Sequence, residues 1–215
     1  MKKLLYITAN SKDEKDSSCK TVGRELVNLI LKENPDLKLE EVDLYKDHIP
    51  QLKGCYFESR SAIVNKESRE KLSSQEQKEV ECIENLCNQF RDADIYVLAA
   101  PMWSMSFPAP VKEYFDCVIQ SDKTIEFVEN KPHGLLSNKH RTFIYVQSSG
   151  ADLPWFIKPV LNKGLNYIED IVKFMGIENF IELDVSGTGT TEDERLEAIQ
   201  KAEGKIDGIV HKLFA

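Results

Sequence analysis

Histidine and cysteine are sparse in this chain of 215 residues, and neither is arranged to hold a metal. The five cysteines (Cys19, Cys55, Cys82, Cys87 and Cys117) are odd in number and scattered. None forms a CxxC pair or has a histidine at zinc spacing, so reduced thiols are expected rather than a disulfide framework or a zinc site. The four histidines (His48, His133, His140 and His211) stand apart, and surface or structural roles are expected for them. There is no GxSxG, no HExxH and no pair of catalytic carboxylates, so hydrolytic chemistry has no evident carrier. Positive charge is also short. The net charge of −8 and pI near 5.2 argue against non-specific binding to nucleic acid or to an anionic membrane. No run approaches the roughly 18 apolar residues of a membrane span. The apolar stretch after Met1 is short and turns charged at residues 12–16, without a small-residue cleavage pattern. It is expected to be a buried first strand, and the protein is expected in the cytoplasm.

What the chain does have is a repeated alternation of short apolar runs and amphipathic stretches. Residues 4–8 are apolar throughout, as in a strand buried on both faces. Val22, Leu26, Leu29 and Ile30 mark a helix starting at about Ser18 and ending near Asn34-Pro35. Residues 37–43 alternate, as a more exposed strand does. Val80, Ile83, Cys87 and Phe90 mark a second helix, with Ser74 and Gln77 as its expected capping box. Residues 94–99 form a third strand, and Val111, Tyr114, Phe115, Val118 and Ile119 one face of the helix after it. Residues 141–147 are a fourth strand. A long helix follows, carrying Ile157, Val160, Leu161, Ile168, Ile171, Val172 and Met175 and ending at Gly176. Residues 180–185 are a fifth strand, and Thr191 caps a last helix with Leu196, Ile199, Ile206, Val210 and Leu213. Two connections are long, at about 45–74 and 122–138, and connections of that length are usually functional or a lid. Tyr56 and Phe57 in the first either belong to a facing subunit's site or pin the loop.

Strand–helix repeated five times predicts an α/β fold: a five-stranded parallel sheet with helices on both faces, in one domain spanning 1–215. The order 2-1-3-4-5 of the flavodoxin-like architecture suits it, and there ligands bind where the loops after strands one and three meet. The loop after strand three holds Met102, Trp103, Ser104, Met105 and Phe107 between Pro101 and Pro108. Such an apolar loop either plugs the end of the core or covers something flat and apolar. The loop after strand one lacks GxGxxG and GxxxxGK[ST], so neither a dinucleotide pyrophosphate nor a triphosphate has a cradle. It offers Asn10, Ser11, Ser17 and Ser18 before a helix, with Lys20 nearby. That is either an ordinary serine cap or a seat for one phosphate dianion. Gln147, Ser148, Ser149 and Gly150 follow strand four. Together the three loops suit a phosphorylated flat ring, and flavin mononucleotide (FMN) is the expected ligand.

At these residues the chain resembles the FMN-dependent NADH azoreductases of the flavodoxin-like fold, over nearly its whole length. The likeness runs through residues 5–10 (Leu-Tyr-Ile-Thr-Ala-Asn), Ser18-Cys-Lys20, Val42-Asp-Leu-Tyr45, Ala100-Pro-Met-Trp103 with Pro108 and Lys112, and Phe127 with Gly134-Leu-Leu136 and Lys139. The resemblance implies that Ser18, Cys19 and Lys20 hold the phosphate, Met102 to Met105 the isoalloxazine, and Gln147 to Gly150 its other edge. It implies a homodimer with flavin near the interface, and reduction of azo dyes and quinones by NADH or NADPH. The chain departs from the family pattern at Ser104, where asparagine is usual, at Gln147 to Gly150, and at residues 120–125.

In such a scheme the flavin carries the electrons and the protein binds, orients and tunes it. Ping-pong kinetics are expected, with no protein nucleophile or general acid. Trp155 and Phe156 either line the acceptor pocket or pack the long helix. Competing expectations are a flavodoxin-type electron carrier, a general NAD(P)H:FMN reductase, and a flavin-free binding domain of the same architecture. The two long connections favour an enzyme over a carrier.

Overall fold

The structure is a computed structural model describing every residue except Met1, Leu153, Trp155 and Ala215. The expectation attached to Trp155 therefore lies outside the described residues. Five parallel strands form the central sheet: β1 (Lys3–Thr8), β2 (Lys38–Asp43), β5 (Ile95–Pro101), β8 (Thr142–Ser149) and β9 (Asn179–Ser186), in the order β2-β1-β5-β8-β9. Counted among themselves, these strands run 2-1-3-4-5 across the sheet. The labels differ from that count because the two long connections each contain a small antiparallel pair. One is β3 (Phe57–Ser59) with β4 (Ala62–Ile63), and the other is β6 (Ile125–Val128) with β7 (Lys131–Gly134).

Alternation along the strands divides the core in two. Leu5, Ile7, Tyr96, Leu98, Phe143 and Tyr145 face one side, packing with Phe90 of α3 (Ser74–Asp92), Tyr114 and Phe115 of α4 (Ala109–Val118) and Ile168 of α6 (Lys163–Phe174). Leu4, Tyr6, Val97, Ala99, Ile144 and Leu183 face the other. There they meet α1 (Ser18–Glu33), α7 (Glu192–Glu203) and α8 (Ile206–Phe214). β5 and the middle of β1 and β8 are apolar because both faces are covered there. Gly23 lets α1 sit close on the sheet, since a Cβ there would stand 2.9 Å from the Tyr6 hydroxyl and 3.0 Å from the Ala99 side chain.

Several sequence expectations shift in detail. The capping box of α3 is formed by Ser73 and Glu76, one residue before the expected pair, and Ser74 is the first helical residue. The expected long helix is two helices, α5 (Lys158–Leu161) and α6, which meet at Asn162. The expected last helix divides at Gly204. Apolar periodicity runs through the break at Gly204 because α7 and α8 face the same core. The 45–74 connection, with α2 (Lys66–Glu70), is anchored by its own small cluster, in which Tyr56 is 1% exposed beside Val64, Val80, Ile83 and Cys117. Tyr56 thus pins the loop. Among the described residues no helix is long and apolar enough to cross a membrane, and no group of histidine, cysteine and acidic residues could hold a metal.

Candidate functional site

Four loops leave the carboxyl ends of β1, β5, β8 and β9 and converge on one cavity of about 370 Å³, within the roughly 300–1,000 Å³ range of small-molecule sites. From β1 come Asn10, Lys12, Asp16 and Ser17, with Ser18 opening α1. From β5 come Pro101, Met102 and Trp103. From β8 come Ser148, Ser149 and Gly150. The loop after β9 adds residues 188–192, and α7 adds Arg195. The sheet order produces this convergence, because β1, β5, β8 and β9 are consecutive neighbours.

Each loop is held by its own bonds. Asn10 Oδ1 accepts from the Lys12 amide at 3.0 Å, an Asx turn, while its amide nitrogen donates to Ser17 Oγ at 2.9 Å. Ser17 is the N-cap of α1 and accepts from the Lys20 amide at 3.4 Å, so the cap lies one residue before the expected start. The amides of Ser18 and Cys19, in the first turn, have no intrahelical carbonyl to reach. The loop after β5 is tied to β8 by the Met102 amide on the Ser148 carbonyl at 2.7 Å. It then reverses in a tight turn, with Trp103 and Ser106 exchanging backbone bonds at 3.0 and 2.9 Å. Ser104 and Met105, at the tip, have φ of +51° and +61°, the left-handed conformation of hairpin turns. The Met105 carbonyl accepts the Lys163 amide at 2.9 Å, docking the turn on the start of α6. Gly164 makes that approach possible, since a Cβ there would lie 2.8 Å from the Ser106 backbone. The loops after β8 and β9 are zipped by the Thr188 and Gly189 amides on the carbonyls of Ser149 and Gly150, both at 3.1 Å.

Of the residues singled out in the sequence, Asn10, Ser17, Ser18, Pro101, Met102, Trp103, Ser148, Ser149 and Gly150 come together here. The side chains of the others go elsewhere. Cys19 is fully buried against Ser17 Oγ at 3.3 Å. Lys20 is 4% exposed, and its ammonium donates to the carbonyls of Asn10 (3.4 Å) and Lys12 (3.1 Å) and to Asp43 Oδ2 (3.3 Å). The Gln147 amide is buried between the Tyr145 hydroxyl and Asn162, the cap of α6. Ser104 and Met105 are exposed at the turn tip. Phe156 is exposed and does not line the cavity.

A flavodoxin-like fold family matches residues 2–209. A curated relative from Ruminiclostridium cellulolyticum, an FMN-dependent NADH:quinone oxidoreductase, is 64% identical over 213 residues, covering 99% of this chain and all of the relative. This chain belongs to that flavodoxin-like family. A Clostridium botulinum relative of the same name is 55% identical over the full length of both chains. Among solved structures, an FMN-dependent NADH-azoreductase from Bacillus anthracis, in complex with FMN, superimposes with a TM-score of 0.84 at 22% identity, with complete coverage of both chains. At that identity the likeness establishes the shared fold.

In this family member, the serine cap that the sequence offered at Ser17 or Ser18 is Ser17, while Lys12 and the whole wall from β9 and α7 were not legible as parts of the site. The β9–α7 wall carried no signal beyond small polar residues; adjacency of β8 and β9 puts it in the cavity. Arg195 is oriented by Glu192, with Nε at 2.9 Å and Nη2 at 2.5 Å from its two carboxylate oxygens. That contact raises the guanidinium pKa and lowers that of the carboxyl.

Proposed function

We propose that this chain is a flavoenzyme that passes two electrons from NADH or NADPH through bound FMN to quinones or azo compounds. The named activity of relatives up to 64% identical supports it. The observation that carries it is the joint lining of one cavity. Ser17 and Ser18 at the start of α1, with Thr188, Thr190 and Thr191, border the same space as Pro101, Met102 and Trp103. A donor set of that kind fits a group that is apolar and flat in one part and singly phosphorylated in another.

When bound, FMN supplies reversible two-electron redox chemistry. The chain's own contribution is to bind and to exclude. Ser17 and Ser18, with the amides of Ser18 and Cys19, hold the phosphate. Met102 and Trp103 form the wall for the ring, and residues 148–150 close its polar edge. Lys20 and Gln147 act behind this lining, as anchors of the loops, and Ser104 and Met105 act through their backbone. Donor and acceptor take turns at one open face beside Trp103, which is 43% exposed, and this sharing gives ping-pong kinetics. We further propose that residues 1–215 act as one domain and form a cytoplasmic homodimer. Exposed apolar side chains at Met105, Phe156 and Val160, on the turn and on the segment leading into α6, support a facing subunit near the site.

The absorption spectrum of the purified protein, before and after addition of FMN, is the first test. Steady-state oxidation of NADH with menadione or methyl red is the second, with parallel double-reciprocal lines expected. A colourless protein that takes up no FMN would remove this reading. A flavin-loaded protein that turns over neither acceptor would leave an electron carrier.

A further inference from the structure

A phosphate dianion in a chain of net charge −8 needs a local cation. The sequence offers Lys20 for that part, but its ammonium is committed to Asp43 and two backbone carbonyls. Two cations border the cavity beside Ser17 and Ser18: Lys12, in the loop after β1, and Arg195, one turn into α7 and far away in sequence. Two anions, Asp16 and Glu192, border the same space. Glu192 takes one edge of the guanidinium through Nε and Nη2 and fixes its plane. Nη1 is buried and has no hydrogen-bond partner among the described residues. A buried cationic donor without an acceptor is rare in folded proteins, and two N–H groups on one edge of a guanidinium match phosphate oxygens.

We infer that Arg195 is a phosphate-recognising cation of this site, its guanidinium holding the flavin's phosphate against the start of α1 and so selecting FMN over riboflavin. The inference rests on the flavin-binding reading above and assigns the residue that discriminates between two forms of the same ring. Lys12 and Arg195 balance Asp16 and Glu192, and the first-turn amides of α1 supply the remaining attraction for the anion. Glu192 is then a positioning residue, since it touches the guanidinium and leaves the other edge for the ligand.

The test is equilibrium titration of flavin-free protein with FMN and, separately, with riboflavin, read by flavin fluorescence, for wild type, R195M and R195K. Losing a charge-assisted hydrogen bond predicts that R195M binds FMN about tenfold to a hundredfold more weakly. Riboflavin affinity should stay within about twofold of wild type, because no phosphate is present to lose its partner. R195K, which keeps the charge and loses the fork, should fall between wild type and R195M for FMN alone. The FMN affinity of wild type should also fall more steeply with added NaCl than that of R195M. Equal weakening of both flavins would make Arg195 a merely structural residue and overturn the inference. Unchanged FMN affinity would overturn it too, leaving Nη1 to water. If R195M fails to fold, R195K carries the same comparison. Wild-type protein that binds neither flavin would instead bring down the flavoenzyme reading itself.

Discussion

Replacing Lys20 with methionine removes one buried ammonium and keeps the length of its stem. Lys20 is 4% exposed, and its three N–H groups meet three acceptors: the Asn10 carbonyl, the Lys12 carbonyl and Asp43 Oδ2, at 3.4, 3.1 and 3.3 Å. The two carbonyls belong to the loop after β1, so the ammonium fixes that loop from behind. Asp43 is the residue left exposed to the consequence. It would keep the Tyr45 amide at 3.1 Å and the Lys46 ammonium at 3.8 Å, and its side chain is 22% accessible to water. Stranding one member of a buried pair typically costs about 3–5 kcal/mol, and a charge-assisted hydrogen bond is worth about 1.5–3 kcal/mol. Partial solvation of Asp43 and its remaining bonds place K20M toward the lower figure, at about 2–3 kcal/mol of lost stability. The assay is urea unfolding of flavin-free protein at neutral pH, comparing midpoints at constant slope. The double variant K20M/D43N should cost less than the two single variants added together, with a coupling of about 1 kcal/mol or more. FMN affinity should drop as well, because Asn10 and Lys12 line the cavity. A K20M protein within about 0.5 kcal/mol of wild type, or a strictly additive double variant, would refute the anchoring role.

Four further outcomes are expected. Trp103→Ala should weaken FMN binding by roughly threefold to tenfold beyond the effect of lost area, as measured by titration, since ring contacts add about 0.5–1.5 kcal/mol; unchanged affinity would take Trp103 out of the site. Gly164→Ala should destabilise the fold by about 1–3 kcal/mol and disturb flavin binding, because the new Cβ pushes on the Ser106 backbone; a well-behaved variant with a native midpoint would show that the turn yields freely. Ser104→Asn should leave stability equal or raise it by about 0.5 kcal/mol in the same unfolding assay, because asparagine tolerates the φ of +51° better than serine. At pH 8 a disulfide reagent such as DTNB should modify Cys55, which is exposed, well before Cys19, Cys87 or Cys117, which are buried. Burial pushes the thiols of Cys87 and Cys117 up to about 12, so even apart from access only roughly one in ten thousand would be thiolate at that pH. Rapid titration of all five would contradict the packing.

Legibility varied along the chain with the physical origin of each feature. The central sheet strands were readable because burial on both faces selects apolar runs in β5 and the middle of β1 and β8. Their order was that of the flavodoxin-like architecture, which five strand–helix units suit. The three loops at the sheet's rim were readable because their chemistry is unusual for loops. Side-chain direction was not readable. Lys20 looked like a ligand because it follows two serines, yet one turn of helix carries it behind the loop to Asp43 on the neighbouring strand. Gln147 looked like part of the rim, but its residue is the last but two in β8 and its amide turns into the core to meet Tyr145 and Asn162. The breaks at Asn162 and Gly204 were hidden because periodicity records which face is apolar and says little about where a helix axis bends.

Local composition and spacing were enough to decide the layered α/β architecture and its alternation of strands and helices, since these depend on periodic burial; the strand order and the rim at which a ligand would sit came with the flavodoxin-like architecture that this alternation suits. Only the three-dimensional packing decided which polar groups reach the cavity. It turned Lys20 and Gln147 inward and brought Lys12, the β9–α7 loop and Arg195 to the site. The reason is that a side chain's partners are fixed by neighbours across the sheet and between helices, and those neighbours are distant in the chain.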